Sequence, residues 1–296
     1  MKVKTFDSEF FSSGHGCCPG CGMPVALKNV FQALGKQTIV VTTAGCLGTI
    51  SGVFPVSPLK LATYNTAFAS TGAAASGVRA TLDMKGDSET TVLAVSGDGG
   101  CFDIGIQSLS GAAERNEDII YLCYDNEAYM NTGIQRSSAT PWGAWTTTTP
   151  PLSLKNQPKK DIMQIMAGHR VPYIATASIA YMDDLIRKMK KAKDTRGFKF
   201  IHIVSPCPVG WRFSPELTIR IARLAVQTHL FPLYEVEDGE RYVLSEEPVQ
   251  VPVDEYLKLQ GRFDYLQKKD IAQIQEYTDR QWKRLMRQME RSDTPV

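Results

Sequence analysis

The sequence predicts an α/β protein with a doubly wound, mostly parallel sheet and a helical C-terminal extension. Short β-rich apolar runs alternate with helical patterns over the first 230 residues, and the runs end in turns rich in Gly, Pro or polar residues. Such alternation is typical of βαβ units. Beyond residue 230 the pattern changes to a hairpin around Asp238-Gly239 and two helical segments. We therefore expect a main domain at 1–230 and an extension at 231–296 that serves packing or subunit contact.

The predicted elements follow in order along the chain. Strand patterns lie at 38–43, 90–96, 118–124, 173–177 and 198–205, and helical patterns at 23–35, 66–80, 102–115, 161–169, 182–192 and 269–291. The segment at 66–80 is rich in Ala, Gly, Ser and Thr, which favours a tightly packed, buried helix. The loop at 137–160 is long for a compact domain, and its Trp142 and Trp145 favour packing over a disordered excursion.

Composition and charge exclude several classes of protein. A hydrophobic fraction of 43% and a charged fraction of 22% are typical of a globular protein with a substantial core. The net charge of +2 argues against a dedicated nucleic-acid binder, which would show a clear basic excess. The first sixteen residues lack the apolar core of a signal peptide, and the chain has no run long enough for a membrane-spanning helix. We therefore expect a cytoplasmic protein.

Two polar turns predict a site for a metal and a diphosphate. Asp98 lies in the turn Gly97-Asp98-Gly99-Gly100 after one strand, and Asn126 follows the next strand. Because ligands bind beyond the carboxyl ends of parallel strands, both residues should lie at one edge of the sheet. Mg2+ prefers oxygen ligands, and the glycines would let the backbone approach a diphosphate. The arrangement resembles the thiamine diphosphate (TPP) motif, with Asp125-Asn126 in place of the more common Asn-Asn pair.

Four of the seven cysteines form a second candidate site. Cys18 and Cys21 have CxxC spacing, whereas Cys46 and Cys207 each follow a predicted strand. Clustered thiols in a reducing compartment bind metal more often than they form disulfides. Four thiolates suit either a [4Fe–4S] cluster or a zinc ion. A position beside a carbanion-forming cofactor favours the cluster, because zinc cannot accept electrons. Cys123, inside an apolar strand, is predicted to be a core residue.

Three stretches together resemble the β subunits of 2-oxoacid:ferredoxin oxidoreductases, most closely the pyruvate synthase type. They are CPGCG at 18–22 with AGC at 44–46, GDGGCFDIG at 97–105 with DNEAYMNTGIQRSSATP at 125–141, and SPCPVGW at 205–211. The resemblance implies the thiamine-diphosphate-binding fold. It also implies CoA-dependent oxidative decarboxylation of a 2-oxoacid, with pyruvate favoured, to acyl-CoA and CO2 with reduction of ferredoxin, or the reverse reaction.

The resemblance also implies roles for individual residues. Cys18, Cys21, Cys46 and Cys207 would bind the [4Fe–4S] cluster, and Asp98, the side chain of Asn126 and the main-chain oxygen of Ala128 would bind Mg2+. Asn131 would be a catalytic residue near the thiazolium and the substrate carbonyl. Further cofactor contacts would come from Gly45, Cys46, Leu47, Gly97, Gly99, Gly100, Tyr129 and Met130.

One group that TPP chemistry requires has no counterpart in this sequence. No Glu matches the residue that engages the aminopyrimidine ring, and in the family that residue comes from a separate α subunit. The chain would therefore be inactive alone and would need α, γ and δ partners, with ferredoxin as electron partner and coenzyme A as co-substrate. Two alternatives are a non-redox TPP-dependent decarboxylase or acyl transferase subunit and a zinc-stabilised binding protein.

Overall fold

The sheet of this protein has eight strands within the residues that the computed structural model describes, 10–53 and 55–292. The strands are β1 (Thr38–Thr43), β2 (Ala62–Thr66), β3 (Thr91–Gly97), β4 (Ile120–Asp125), β5 (Tyr173–Ser178), β6 (Lys199–Val204), β7 (Tyr234–Glu237) and β8 (Arg241–Leu244). Their spatial order is β2-β1-β3-β4-β6-β5-β7-β8. Pairing is parallel from β2 to β5, and the pairs β5–β7 and β7–β8 are antiparallel. The predicted mostly parallel sheet is confirmed.

Helices cover both faces of the sheet, as a doubly wound fold requires. They are α1 (Gly22–Leu34), α2 (Cys46–Ile50), α3 (Thr71–Met84), α4 (Ile106–Glu114), α5 (Ile162–Ala167), α6 (Met182–Asp194), α7 (Pro208–Trp211), α8 (Thr218–Gln227), α9 (Asp254–Leu257) and α10 (Lys268–Ser292). Helices α1 and α6 pack on one face, and α3, α4, α5 and α10 contribute to the core on the other.

Strand β3 lies at the centre of the sheet and is packed on both faces. Its residues alternate between the two cores: Leu93 and Val95 face α1 and α6, whereas Val92 and Ala94 face the opposite core. Burial on both faces is typical of parallel strands. Each fully buried Val or Leu stabilises the fold by about 1.5–3 kcal/mol. The turns that follow the central strands are therefore held on a well-packed base.

The helix predicted at 66–80 is confirmed only from Thr71 onward, and the prediction that it is buried is wrong. Residues 62–66 form the edge strand β2, and α3 begins only at Thr71. Few positions of α3 are buried, and Met84 at its end is 90% exposed. Its small residues instead permit close approach, because a Cβ added to Gly72 would lie 2.4 Å from the main-chain oxygen of Ser108 in α4.

The α-helix predicted at 102–115 is confirmed from Ile106 to Glu114. After β3 the chain makes one wide π-helical turn, Gly99–Asp103, in which the Ile104 N–H donates to the Gly99 oxygen over 3.2 Å. The α-helix α4 follows at Ile106. Wide turns of this kind are frequent at functional sites.

The C-terminal part begins with the predicted hairpin. Strand β7 pairs with β5, so β7 and β8 extend the main sheet, and the long terminal helix α10 is confirmed. The loop at 137–160 packs as expected, since Ala139, Thr140 and Ala144 are fully buried. The boundary at residue 230 stays a prediction.

Among the described residues, no helix is long and apolar enough to cross a lipid bilayer. The prediction that the chain starts without a signal peptide concerns residues 1–16, of which 1–9 lie outside the described residues.

Candidate cofactor site

A pocket of about 100 Å³ opens beyond the carboxyl ends of β1 and β3. From β1 the chain leaves toward β2, and from β3 it leaves in the opposite direction toward β4, so the two turns diverge. Such a switch point leaves the crevice in which open α/β sheets bind ligands. The lining residues are Ala44, Gly45, Cys46, Phe68, Gly97, Gly99, Gly100, Tyr124, Asn126, Ala128, Tyr129, Met130, Asn131 and Thr132.

The pocket therefore brings together all but two of the residues predicted to contact the cofactor. The exceptions, Asp98 and Leu47, are fully buried beside it. The Leu47 N–H donates to the hydroxyl of Tyr124 over 3.3 Å, which ties the β1 turn to strand β4. Tyr124 and Phe68 are wall residues that the sequence did not single out. The binding roles themselves stay predictions.

Glycines shape the wall of this pocket. A Cβ added to Gly99 would lie 2.5 Å from the ring of Tyr129, which is closer than such atoms can approach. Gly45 has φ of 142°, a backbone conformation that residues with a side chain rarely adopt. The main chain is thus exposed to a ligand at both turns, as binding of a diphosphate requires.

Three predicted Mg2+ ligands meet at one point. One terminal atom of the Asn126 amide lies 2.9 Å from Oδ1 of Asp98 and 3.1 Å from the main-chain oxygen of Ala128. If this atom is nitrogen, it donates to both oxygens. If it is oxygen, its distances to the other two oxygens are those between adjacent ligands in an octahedral Mg2+ shell, about 3 Å. A half-turn of one amide therefore converts a hydrogen-bonded group into half of a cation site, so these residues fit the ion.

The environment of Asp98 favours a cation. The side chain is fully buried, and the Ser137 hydroxyl donates to its Oδ2 over 2.5 Å. Burial, and next the negative charge of Asp125, hold the pKa of Asp98 well above its ordinary value. A positive ion beside the carboxylate would reverse this effect. The site thus accepts a divalent cation more readily than it keeps an isolated negative charge.

A buried network of charges lies behind this point. Lys159 Nζ lies 2.5 Å from Asp125 and 2.7 Å from Glu127, and His202 Nε2 lies 2.8 Å from Asp125. Although burial opposes ionisation, the charge of Lys159 and the hydrogen bond from His202 hold the pKa of Asp125 below its usual range. Arg262 forms an ion pair of 2.7 Å with Glu127. Asp125 therefore pairs with Lys159 and His202, whereas the amide of its neighbour Asn126 faces Asp98 and Ala128.

The predicted catalytic residue, Asn131, is exposed at the pocket wall. The Thr49 hydroxyl donates to its Oδ1 over 3.2 Å, which joins α2 to the turn after β4. The bond engages the amide oxygen and leaves the NH2 group as a donor. A donor at this position can stabilise an oxygen that gains negative charge.

The three thiol-bearing turns lie at the same edge of the fold. The Gly22 N–H donates to the Pro206 oxygen over 3.1 Å, which joins the turn of Cys21 to the turn of Cys207. Burial raises the pKa of the Cys46 thiol to about 12, and the charges of Cys207 and Cys18 contribute. The pKa values of Cys21 and Cys207 are also raised, first by burial and then by neighbouring thiols. The thiols of Cys21, Cys46 and Cys207 thus each feel the charge of at least one other thiol.

The thiols do not converge as ligands of a single ion. In the described ranges, 10–53 and 55–292, no three Cys, His, Asp or Glu side chains are grouped closely enough to hold one metal ion. Cys18 is exposed, Cys21 and Cys46 are half-buried, and Cys207 is buried. Cys123 is fully buried as predicted.

The fold and the pocket define the class of protein. A sheet with a switch-point crevice, glycine-lined turns and a carboxylate–amide pair resembles the diphosphate-binding arrangement of TPP enzymes. The family model described as "Thiamine pyrophosphate enzyme, C-terminal TPP binding domain" matches residues 43–203. The chain therefore belongs to the thiamine pyrophosphate enzymes.

Comparison with known proteins narrows the class. The chain is 48% identical over 290 residues to the ketoisovalerate oxidoreductase subunit VorB of Pyrococcus horikoshii, covering 95% of this chain and 93% of the relative. It is 47% identical over 281 residues to the pyruvate synthase subunit PorB of Methanothermobacter thermautotrophicus, covering 94% and 97%. The chain belongs to the β subunits of the 2-oxoacid:ferredoxin oxidoreductase family and is an oxidoreductase subunit.

A solved structure agrees on the fold. The chain matches the 2-oxoglutarate:ferredoxin oxidoreductase of Magnetococcus marinus with a TM-score of 0.58 and 21% identity, covering 75% of this chain and 84% of the other. The family assignment sets aside the alternatives of a non-redox TPP enzyme and of a binding protein without catalysis.

Proposed function

We propose that the chain is the TPP-, Mg2+- and cluster-binding subunit of a pyruvate:ferredoxin oxidoreductase. The complex would convert pyruvate and coenzyme A to acetyl-CoA and CO2 and reduce ferredoxin, or run in reverse. The observation that carries the proposal is the contact of Asp98 and Ala128 with the Asn126 amide beside a glycine-lined pocket. These groups would hold Mg2+, which in turn binds the diphosphate of the cofactor.

Thiamine diphosphate supplies the carbanion chemistry that removes CO2 from a 2-oxoacid. The chain would orient the cofactor through the main chain at Gly97–Gly100 and would donate a hydrogen bond from Asn131 to the substrate oxygen. Its walls, which include Phe68 and Tyr124, would exclude water from the reacting atoms.

A [4Fe–4S] cluster explains the thiols better than zinc does. In a cluster each thiolate binds a different iron, so its four thiolates stand further apart than the ligands of one ion. Among the described residues, Cys21, Cys46 and Cys207 each feel the charge of at least one other thiol, yet no three such side chains are grouped around one point, which supports this proposal. The cluster would take electrons from the adjacent pocket.

The active enzyme would be a cytoplasmic complex with α, γ and δ subunits. Glu127 is the glutamate nearest in sequence to the Mg2+ ligands, and its carboxylate is engaged by Lys159 and Arg262. The Glu that activates TPP would therefore come from the α subunit. The Magnetococcus marinus enzyme was solved with coenzyme A bound, which supports CoA as co-substrate of this complex also.

A second candidate substrate is 2-oxoisovalerate. Relatives named for ketoisovalerate and for pyruvate are 48% and 47% identical to this chain, so overall identity favours neither. The family stretch at 125–141 is the basis for the choice of pyruvate.

Anaerobic co-purification with the partner subunits tests the proposal. We expect TPP, Mg2+ and about four irons for each copy of this chain at this site, beyond the iron of other subunits. In a panel of 2-oxoacids with CoA and ferredoxin, kcat/KM should be highest for pyruvate. Zinc in place of iron, or decarboxylation without ferredoxin reduction, would contradict the proposal, and a maximum with 2-oxoisovalerate would replace pyruvate.

A further inference from the structure

A buried arginine of the C-terminal part contacts residues that adjoin both predicted cofactor sites in sequence. Arg262 is 2% exposed and lies in the short turn Gly261–Phe263. Its guanidinium NH2 lies 2.7 Å from Oε2 of Glu127, and its Cζ lies 3.9 Å from the ring centroid of Trp211. The edge of the guanidinium thus meets the loop after β4, while its face meets the helix that follows Cys207.

Trp211 completes the link to the Mg2+ loop. The tryptophan ends α7, which starts directly after Cys207, and it is 1% exposed. Its Nε1–H donates to the main-chain oxygen of Asn126 over 2.7 Å. The stacked pair of Arg262 and Trp211 therefore contacts two consecutive residues, Glu127 and Asn126. Both belong to the loop that supplies the Asn126 amide and the Ala128 oxygen.

The backbone of this loop is strained at Glu127 and needs contacts that hold it. Glu127 has φ of 65°, in the left-handed region that residues with a side chain avoid. This conformation lies between Asn126 and Ala128, whose groups meet Asp98. Strained backbone persists only where its surroundings hold it. Besides Arg262, the contacts that hold Glu127 are Lys159 on its carboxylate, Oδ1 of Asp125 on its N–H and the Thr140 hydroxyl on its oxygen.

We propose that Arg262, stacked on Trp211, is a positioning residue that fixes the left-handed loop at Glu127 and so presents Asn126 and Ala128 to Mg2+. The inference rests on the proposed function. Two acids, Asp125 and Glu127, face two cations, Lys159 and Arg262, so the network is balanced without drawing on Asp98. A lysine at position 262 could supply the charge but not the planar face that stacks on Trp211.

The test uses the whole complex, co-expressed with its partner subunits and freed of TPP and Mg2+ by chelation. Mg2+ is titrated at fixed TPP, and cofactor binding is followed by fluorescence quenching. We expect Arg262→Met to weaken the apparent affinity for Mg2+ about 10–100-fold, the range seen for residues that orient metal ligands. Arg262→Lys and Trp211→Phe should fall between this variant and wild type. At saturating Mg2+ and TPP, kcat should return to near the wild-type value.

Arg212→Met is the matched control. Arg212 also stacks on a tryptophan, with its Cζ 3.4 Å from the ring centroid of Trp145. It is exposed, however, and within the described residues its side chain makes no hydrogen bond or ion pair with Asn126, Glu127 or Ala128. Its variant should bind Mg2+ as wild type does. If Arg262→Met does not yield a folded complex, Glu127→Gln and Trp211→Phe decide, because each removes one contact of the group.

Several outcomes would overturn the inference. They are wild-type Mg2+ affinity in the Arg262 variants, an equal loss in Arg212→Met, or a loss of kcat that saturating Mg2+ does not restore. The melting temperature of the metal-free complex separates positioning from stability, since a purely structural role would lower it without changing Mg2+ affinity. A wild-type complex that binds no TPP or Mg2+ would refute the proposed function itself, whereas normal wild-type binding with unaffected variants refutes only the role of Arg262.

Discussion

Asp98 and Asn126 belong to turns after different strands, yet the Asn126 amide lies 2.9 Å from Oδ1 of Asp98. The contact exists because β3 and β4 are neighbouring parallel strands, with Gly97 opposite Tyr124 in the register. Each turn emerges at the same height of the sheet edge, so the carboxylate and the amide meet. This relationship sets the first prediction.

Replacement of Asp98 by alanine should abolish retention of TPP while leaving the iron content unchanged. The variant removes the carboxylate of the proposed cation site, but the four thiols belong to other turns. TPP and iron are measured in the same anaerobically purified complex. Loss of iron together with TPP would mean that the two sites do not form independently.

Replacement of Cys207 by alanine should have the opposite effect. We expect loss of the cluster signal in electron paramagnetic resonance and loss of ferredoxin reduction, with TPP still bound. Cys123→Ala is the control, because Cys123 is fully buried in β4 and is not a predicted ligand. That variant should keep the cluster signal at a modest cost in stability. Unchanged reduction rates in Cys207→Ala would contradict the assignment.

Replacement of Gly99 by alanine should weaken TPP binding by about tenfold or more. The added methyl would lie 2.5 Å from the ring of Tyr129, so the ring must move into the pocket or the turn must shift. Gly77→Ala is the matched control, because a Cβ at that position of α3 meets nothing within 4 Å. In a helix this change stabilises by about 0.5–1 kcal/mol. The dissociation constant for TPP checks both variants, and equal values for both would exclude the close approach as the cause.

The sequence placed Asp98, Asn126 and the thiols because their signals are local. An apolar run followed by a polar or glycine-rich turn can be read without tertiary contacts, and parallel strands bring such turns to one edge. Arg262 and Lys159 carry no such signal. They meet Glu127 only through the packing of the long loop and the C-terminal part. Asp125 was visible only as a departure from the common Asn-Asn pair.

Composition alone misled the prediction for α3. A helix rich in small residues can be buried on all sides, or it can pack closely against a neighbour on one face only. In α3 the second case holds, because Gly72 lets the helix approach α4 closely. Strand β2 was missed because ATYNT is a short edge strand with no apolar run. Such elements are determined by the neighbour they pair with, here β1, rather than by their own residues.

The hairpin supplies a pH-dependent contribution to stability through Glu235. Burial alone would raise its pKa, but hydrogen bonds from Arg187, Lys191 and Tyr173 lower it to about 2. A lowered acid pKa stabilises the fold above the unfolded value and loses that effect as the pH falls toward 2. With allowance for the partly exposed Arg187 and Lys191, Glu235→Gln should cost about 2 kcal/mol at pH 7. In thermal unfolding, the gap from wild type should narrow between pH 5 and pH 3, whereas the exposed Glu240→Gln should leave the melting temperature unchanged at both values. A gap that stays constant with pH would mean that Glu235 acts through packing rather than through its charge.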